Sequence, residues 1–137
     1  MAYWLVKSEP EAWSWQQQTE AGTTHWDGVR NHQASNNLKA MQVGDRAFFY
    51  HSGEERRVVG IVEVVRPYYP DADDPSGRFG MVDVRTVTAL PTPVGLATIK
   101  ADPRLQHLAL VRQSRLSVVP IDAASWALLA SMGGIAE

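Results

Sequence analysis

Trp26-Asp27-Gly28-Val29-Arg30-Asn31 sets an indole, a carboxylate, a guanidinium and an amide within one short segment. Downstream, Phe48-Phe49-Tyr50-His51-Ser52 adds a second cluster of aromatic and polar groups. Side chains of these types suit a flat polar heterocycle: aromatic faces stack it, and amides and hydroxyls read its edge. Arg30, Asn31 and His51 would cost free energy if buried unpaired, so a plain core segment would not carry them all. Asp27-Gly28 reads as a turn, with glycine allowing close backbone approach. Trp26 taken alone is a core tryptophan. With His25 before it and Arg30 and Asn31 after it, a stacking wall at a loop edge is the better reading.

Further candidates stand at other predicted strand ends. Lys7-Ser8-Glu9 closes the first predicted strand, where ligands commonly meet a barrel mouth, although a solvated turn with a helix cap fits the same residues. Tyr50-His51-Ser52 closes another, with an internally bonded core histidine as its alternative. Arg112-Gln113-Ser114-Arg115 suits contact with phosphate or a base edge, through Arg112, Ser114 and Arg115. Trp4, Trp15 and Trp126 are assigned to packing, whereas Trp13, beside the Ser-Glu-Pro turn, could also line a pocket.

Several chemistries lack their residues. The histidines 25, 32, 51 and 107 show no metal-binding helical pair, and cysteine is absent, so no metal site is expected. Neither a GxxxxGK[ST] loop nor a GxGxxG turn occurs, so no nucleotide cofactor is expected. Ser52 beside His51 is a poor nucleophile–base pair, because neighbours on a strand point to opposite faces, and no Gly-x-Ser-x-Gly elbow supports one.

With 137 residues, 45% hydrophobic and 20% charged, the chain has the length and composition of one soluble globular domain spanning 1–137. No apolar run approaches a membrane span, and the N-terminus lacks the pattern of a signal peptide. The absence of cysteine predicts a cytoplasmic setting, or a nuclear one if the source is eukaryotic. The net charge of −2 argues against tight sequence-independent nucleic-acid binding, which relies on neutralising phosphates. It leaves room for a weak backbone grip combined with a specific pocket.

These groups need elements to hold them. Tyr3 to Val6 reads as a strand ended at Pro10. Ser14-x-x-Gln17 is a capping box for a short helix closing at Gly22, with Ser8-x-x-Glu11 as a competing start. Ser35 could cap a second helix through Met41. Arg46 to Tyr50 and Arg57 to Val65 are strands around a turn, apolar enough to be covered on both faces. Tyr68 to Gly80, broken by Pro70 and Pro75 after Pro67, should be an exposed loop. Met81 to Ala89 alternates as a strand, Pro91 to Asp102 is a turn with at most a small helix, and Arg115 to Pro120 is a last strand. Asp122 caps a closing helix, Ala123 to Met132, ended by Gly133-Gly134. Strands outnumber helices without regular alternation, so a small curled sheet with helices at its rim is expected.

The same pieces resemble the EVE domain family, a branch of the PUA-like superfamily. They include Tyr3-Trp4-Leu5-Val6-Lys7-Ser8-Glu9-Pro10, the Trp26 to Asn31 segment, Asn36-Asn37-Leu38, Gly44-Asp45, Phe49-Tyr50-His51-Ser52, Val59-Gly60-Ile61-Val62, Tyr69-Pro70-Asp71 and Arg112 to Val118. The resemblance implies an α+β fold, a PUA-like small mixed β-barrel with peripheral short helices. It also implies a pocket for a flipped-out modified nucleobase, as in the related YTH readers of methylated adenine. Modified cytosine in DNA is the foremost ligand so implied, with modified RNA beside it, and neither catalysis nor a membrane partner. Carried over by motif, Trp26 resembles the aromatic wall. Lys7, Ser8 and Glu9 would line the pocket, with Asn31, Tyr50, His51 and Ser52 nearby and Arg112, Ser114 and Arg115 at the mouth; the residues themselves add Trp13 and Arg30 as candidate pocket residues. Two departures are His32, commonly aromatic in the family, and Ser35, commonly basic, which removes a phosphate contact. Asp71, Asp73 and Asp74 would repel phosphate if their loop lay near the pocket. The rival reading is a nucleoside-processing or other small-molecule enzyme using Lys7, Glu9 and His51 as acid–base groups.

Overall fold

The computed structural model describes residues 1–135, so residues 136 and 137 of the expected domain lie outside the described residues. Six strands form one mixed sheet: β1 (Tyr3–Ser8), β2 (Thr23–Trp26), β3 (Arg46–His51), β4 (Arg57–Pro70), β5 (Gly80–Gly95) and β6 (Val118–Ile121). Their order is β2-β5-β4-β3-β1-β6. The β1–β3 pair is parallel and the other pairs are antiparallel. Register shifts break the β3–β4 and β4–β5 ladders, and such irregularities bend and twist a sheet. The result is the expected α+β architecture, a curled mixed sheet with short helices around it, left open between β2 and β6 among the described residues.

Phe48 and Phe49 are fully buried neighbours on β3, and strand geometry sends them to opposite faces. On one face Trp126 stacks on Phe48 at 3.9 Å and on Tyr3 at 4.6 Å. On the other, Phe49 meets the edges of Trp15 and Trp26 at 5.2 and 5.4 Å. Both faces are therefore covered, which accounts for the nearly continuous apolar runs of β3 and β4. A side chain at Gly60 would stand 2.4 Å from the Trp15 ring, so glycine is what lets that indole lie flat on β4.

The helices follow local sequence to different degrees. α1 (Trp15–Ala21) carries the reciprocal Ser14–Gln17 capping box and stops at Gly22. α5 (Ala123–Met132) is capped by Asp122, whose carboxylate accepts from the Ser125 amide. Between them lie α3 (Leu96–Ala101), a 3-10 turn at Pro103–Leu105, and α4 (Ala109–Arg112).

α2 (His32–Ala40) begins earlier than expected, because Asn31 and not Ser35 is its cap: the Asn31 side chain accepts from the Ala34 amide at 2.9 Å. Ser35 is 2% exposed, and its Oγ has no partner. Its side chain is buried in the interior, so this position offers no surface contact. The loop expected at 68–80 is shorter too. β4 runs on through Pro70 and β5 starts at Gly80, while Asp71 is buried rather than exposed. β5 also continues to Gly95, through the stretch from Pro91 read as a turn, and β6 starts at Val118 rather than Arg115.

Candidate functional site

A cavity of about 580 Å³ opens where the C-terminal end of β1 meets β2 and the segment after it. Lys7, Ser8 and Glu9 form one side, Ala12 and Trp13 a second, and Thr24 through Arg30 a third, with Ser117 completing the lining. Trp26 borders this space while its ring edge rests on Phe49 at an interplanar angle of 83°. Trp26 is 8% exposed, a residue of the core that also borders the opening. β2 carries it there by pairing Trp26 with Val82 of β5.

The other walls are fixed by hydrogen bonds. Ser8 Oγ donates to the Trp13 carbonyl at 2.6 Å, and Trp13 Nε1 donates to Gln18 at 2.9 Å. Lys7 Nζ donates to the Ser114 carbonyl at 3.0 Å and lies 5.7 Å from the Tyr50 ring centroid. Burial lowers the Lys7 ammonium pKa, since the charged form loses hydration there.

Asp71 organises the third wall. One of its carboxylate oxygens accepts from Arg30 at 3.1 Å and from the Gly28 amide at 3.3 Å, and the other accepts from the Asp73 amide at 2.9 Å. The Asp73 amide leads the causes that hold this carboxyl below its usual range; burial opposes them, and Gly28 and Arg30 add to them. Gly28 has φ of +75°, the left-handed turn that glycine enters without a Cβ penalty. Arg30 also lies over the Phe79 ring at 5.7 Å. Asp71, expected as a source of repulsion, neutralises Arg30 and pins the backbone beside Trp26.

Of the sequence-predicted pocket residues, Lys7, Ser8, Glu9, Trp13, Trp26 and Arg30 come together around this cavity. Asn31 does not. It faces a second hollow of about 320 Å³, shared with Gln33, Arg112, Gln113, Ser114, Arg115 and Leu116. The three residues expected at a phosphate-lined mouth therefore gather in their own depression, tied to the cavity by the Lys7–Ser114 bond.

Tyr50, His51 and Ser52 stand behind β1, outside the cavity lining. Tyr50 and His51 pair with Lys7 and Ser8 in the parallel register, and the Ser52 amide donates to the Ser8 carbonyl at 2.9 Å. His51 is buried, accepts from the Trp15 amide at 3.0 Å through Nε2, and holds Glu55 through Nδ1 at 3.0 Å. Its nitrogens are committed to the fold, so Lys7, Glu9 and His51 do not share one cavity as an acid–base set.

Sequence reasoning passed over Asp71 as a positioning group and His25 as more than a neighbour of Trp26. An arginine in a turn beside a pocket needs a counterion, and that requirement was the available signal for Asp71. Among the described residues no group of three or more His, Asp or Glu could hold a metal ion, and no helix is long and apolar enough to cross a membrane.

The chain matches the EVE domain family model over residues 2–132. Human thymocyte nuclear protein 1 is 33% identical across 88% of this chain and 68% of its own length. The chain spans about two thirds of such relatives, 63% in the Gallus gallus protein. A structure from Rhodopseudomonas palustris is 52% identical with a TM-score of 0.94, covering 100% of this chain and 96% of that one. Human THYN1, crystallised in complex with 5-methylcytosine-containing DNA, is 30% identical with a TM-score of 0.88 over 100% of both chains. The YTH domain of Zygosaccharomyces rouxii MRB1 shares the fold at 16% identity and a TM-score of 0.60, covering 96% of this chain and 86% of that one. By this match and these identities, the chain belongs to the EVE domain family.

Proposed function

We propose that this chain binds nucleic acid by taking one modified base, extruded from its strand, into the cavity beside Trp26. The observation that carries the reading is the placement of that indole: anchored on Phe49 and bordering an opening of about 580 Å³, within the size range of ligand pockets. Modified cytosine in DNA is the foremost candidate, because human THYN1 was crystallised with 5-methylcytosine-containing DNA. Modified RNA is the second arm of the same test. The reading is one of binding without catalysis, by residues 1–137 acting as one unit, in a cytoplasmic or, for a eukaryotic source, nuclear setting.

Magnitudes favour a pocket over a surface grip. Extruding a base costs a few kcal/mol, least from single strands, and stacking on an aromatic offsets about 1–3 kcal/mol of that. Lys7 and Arg30 add donors for ring carbonyls or phosphate, and Arg112 and Arg115 in the second hollow suit the backbone that follows. A net charge of −2 leaves little general attraction for phosphate, so discrimination must come from cavity shape and a few hydrogen bonds. One added methyl is worth about 1–3 kcal/mol in a close-fitting apolar corner.

Titration of single- and double-stranded DNA and RNA oligonucleotides, each with one modified cytosine or adenine, tests this. At least one modified strand should bind roughly tenfold more tightly than its plain counterpart, in line with that methyl increment. Trp26→Phe should narrow the difference and Lys7→Met should weaken binding. Equal affinity for every modified and plain strand, unchanged by either substitution, would overturn the proposal.

A further inference from the structure

We propose that His25 is a second recognition residue of this cavity: its imidazolium grips a backbone phosphate of the bound strand through Nε2, so binding strengthens as the pH falls. The inference rests on the nucleic-acid reading above. His25 lines the cavity one residue before Trp26, and its side chain is 65% exposed.

Two partners fix the ring. His25 pairs with Asp83 across the β2–β5 ladder, and its Nδ1 lies 2.9 Å from an Asp83 carboxylate oxygen and 2.9 Å from the Tyr69 hydroxyl. The Tyr69 hydroxyl donates its single proton to that same Asp83 oxygen. Both neighbours of Nδ1 are then acceptors, so Nδ1 carries a hydrogen whether the ring is neutral or charged. Tyr69 keeps its proton throughout the working range: burial first, then the bond to Asp83, pushes its pKa up to about 12. Burial pushes the Asp83 carboxyl up, but the bonds from Tyr69 and His25 outweigh it and hold the group below its usual range.

Nε2 is what remains. It has no hydrogen-bond partner among the described residues, whereas His107, also exposed, directs its Nε2 to Asp122 at 2.7 Å. A phosphate meeting Nε2 would accept a charge-assisted hydrogen bond from the protonated ring, whose other nitrogen is already held by Asp83. The surrounding charges leave a place for such a cation. β5 presents Asp83 and, further along, Arg85, which is engaged by Glu63. β4 presents Tyr69 and Arg66, which lies 3.5 Å over the Tyr69 ring centroid. Around the cavity, Arg30 is neutralised by Asp71, and the other charged lining residues are Lys7, Glu9 and Asp27.

The test is the dissociation constant for a single-stranded DNA oligonucleotide bearing one 5-methylcytosine, at fixed ionic strength from pH 8.0 to 5.5. The intact chain should bind roughly three- to tenfold more tightly at the acid end, as one histidine proton is taken up. His25→Gln should hold the weaker, pH-independent affinity, and Asp83→Asn should reduce the response. His107→Gln should keep the full profile. In the complex, the His25 ring resonances should move from their free-protein positions, while those of His107 stay. Coincident profiles for the intact chain and His25→Gln, with a preference for the modified base retained, would overturn this inference alone. No binding at any pH would remove it together with the reading beneath it.

Discussion

His25 and His51 make a controlled comparison inside one molecule. Each ends or nearly ends a strand beside an aromatic residue, and each holds a carboxylate at Nδ1: Asp83 at 2.9 Å and Glu55 at 3.0 Å. They differ at the other nitrogen. His51 accepts the Trp15 amide there and is 8% exposed, while His25 has Nε2 uncommitted at the edge of a cavity. A carboxylate partner therefore does not distinguish a recognition histidine from a structural one. The second nitrogen does: when both are committed the ring ties elements together, and when one is left over it can meet a ligand.

The two regions share one support, and breaking it should have the largest effect. Phe49 is fully buried and meets Trp15, Trp26 and His51 at 5.2, 5.4 and 5.7 Å. Phe49→Ala should cost about 3–5 kcal/mol of stability, read as a lower midpoint in urea. A loss under about 1 kcal/mol, as for a conservative core swap, would show that the two neighbourhoods do not lean on this ring. His51→Ala should come next, at about 1–3 kcal/mol, since it leaves the Trp15 amide without its acceptor. Its binding should change only as far as folding does, which a titration well below the melting temperature would check.

Asp71→Asn sharpens the comparison from the site's side. The amide keeps the shape but withdraws the charge facing Arg30 and one of the oxygens that hold Gly28, Arg30 and Asp73. A stability loss of about 1–2 kcal/mol is expected, within the cost of weakening a buried hydrogen-bonded group, together with weaker oligonucleotide binding because Arg30 is released. Unchanged binding would mean that Arg30 needs no placing.

How far these features could be read beforehand depended on whether the partner was near in sequence. The Ser14–Gln17 box and the Asp122 cap are local, and both helices start where the residues indicate. Asn31 was recognised as a polar motif residue but not as the cap of α2, because Ser35 offered the same chemistry one turn later. Prolines misled in a different way. Pro67 lies where the β4–β5 register shifts between Arg66 and Tyr69, and Pro91 and Pro93 lie where it shifts between Gly60 and Val58. A missing amide hydrogen costs nothing where the ladder is interrupted, so these strands run through residues that usually end them. The cavity was legible from Lys7 to Glu9 and at Trp26, because strand ends converge there. Its counterion Asp71 and the Asp83–Tyr69 support of His25 were not, since they reach the site across the chain through pairings no short motif encodes.

Acid should act on the fold through carboxylates beside the cavity and at the α5 cap. Asp71 and Asp83 titrate below their ordinary range, and Asp122, hydrogen-bonded first by His107 and then by Ser125, is pulled down to about 2. Depressed folded-state values mean these groups stabilise the fold above their unfolded pKa of about 3.9 and lose that contribution as the pH falls through the folded values. Melting temperature should thus decline between about pH 4 and pH 2. Asp122→Asn should shallow that decline, and an unaltered slope would show that its bonds with His107 and Ser125 are equally strong in the unfolded chain.

The smallest effect should be the most informative. His25→Gln removes an exposed ring whose two neighbours, Asp83 and Tyr69, remain bonded to each other. Its cost to stability should stay within about 0.5 kcal/mol, as for a surface substitution away from packing and caps. Equal urea midpoints would then stand against the His51→Ala loss, two histidines with like carboxylate partners and unlike consequences. A cost approaching that of His51→Ala would mean that the β2–β5 edge depends on this ring, and the free Nε2 would no longer separate recognition from support.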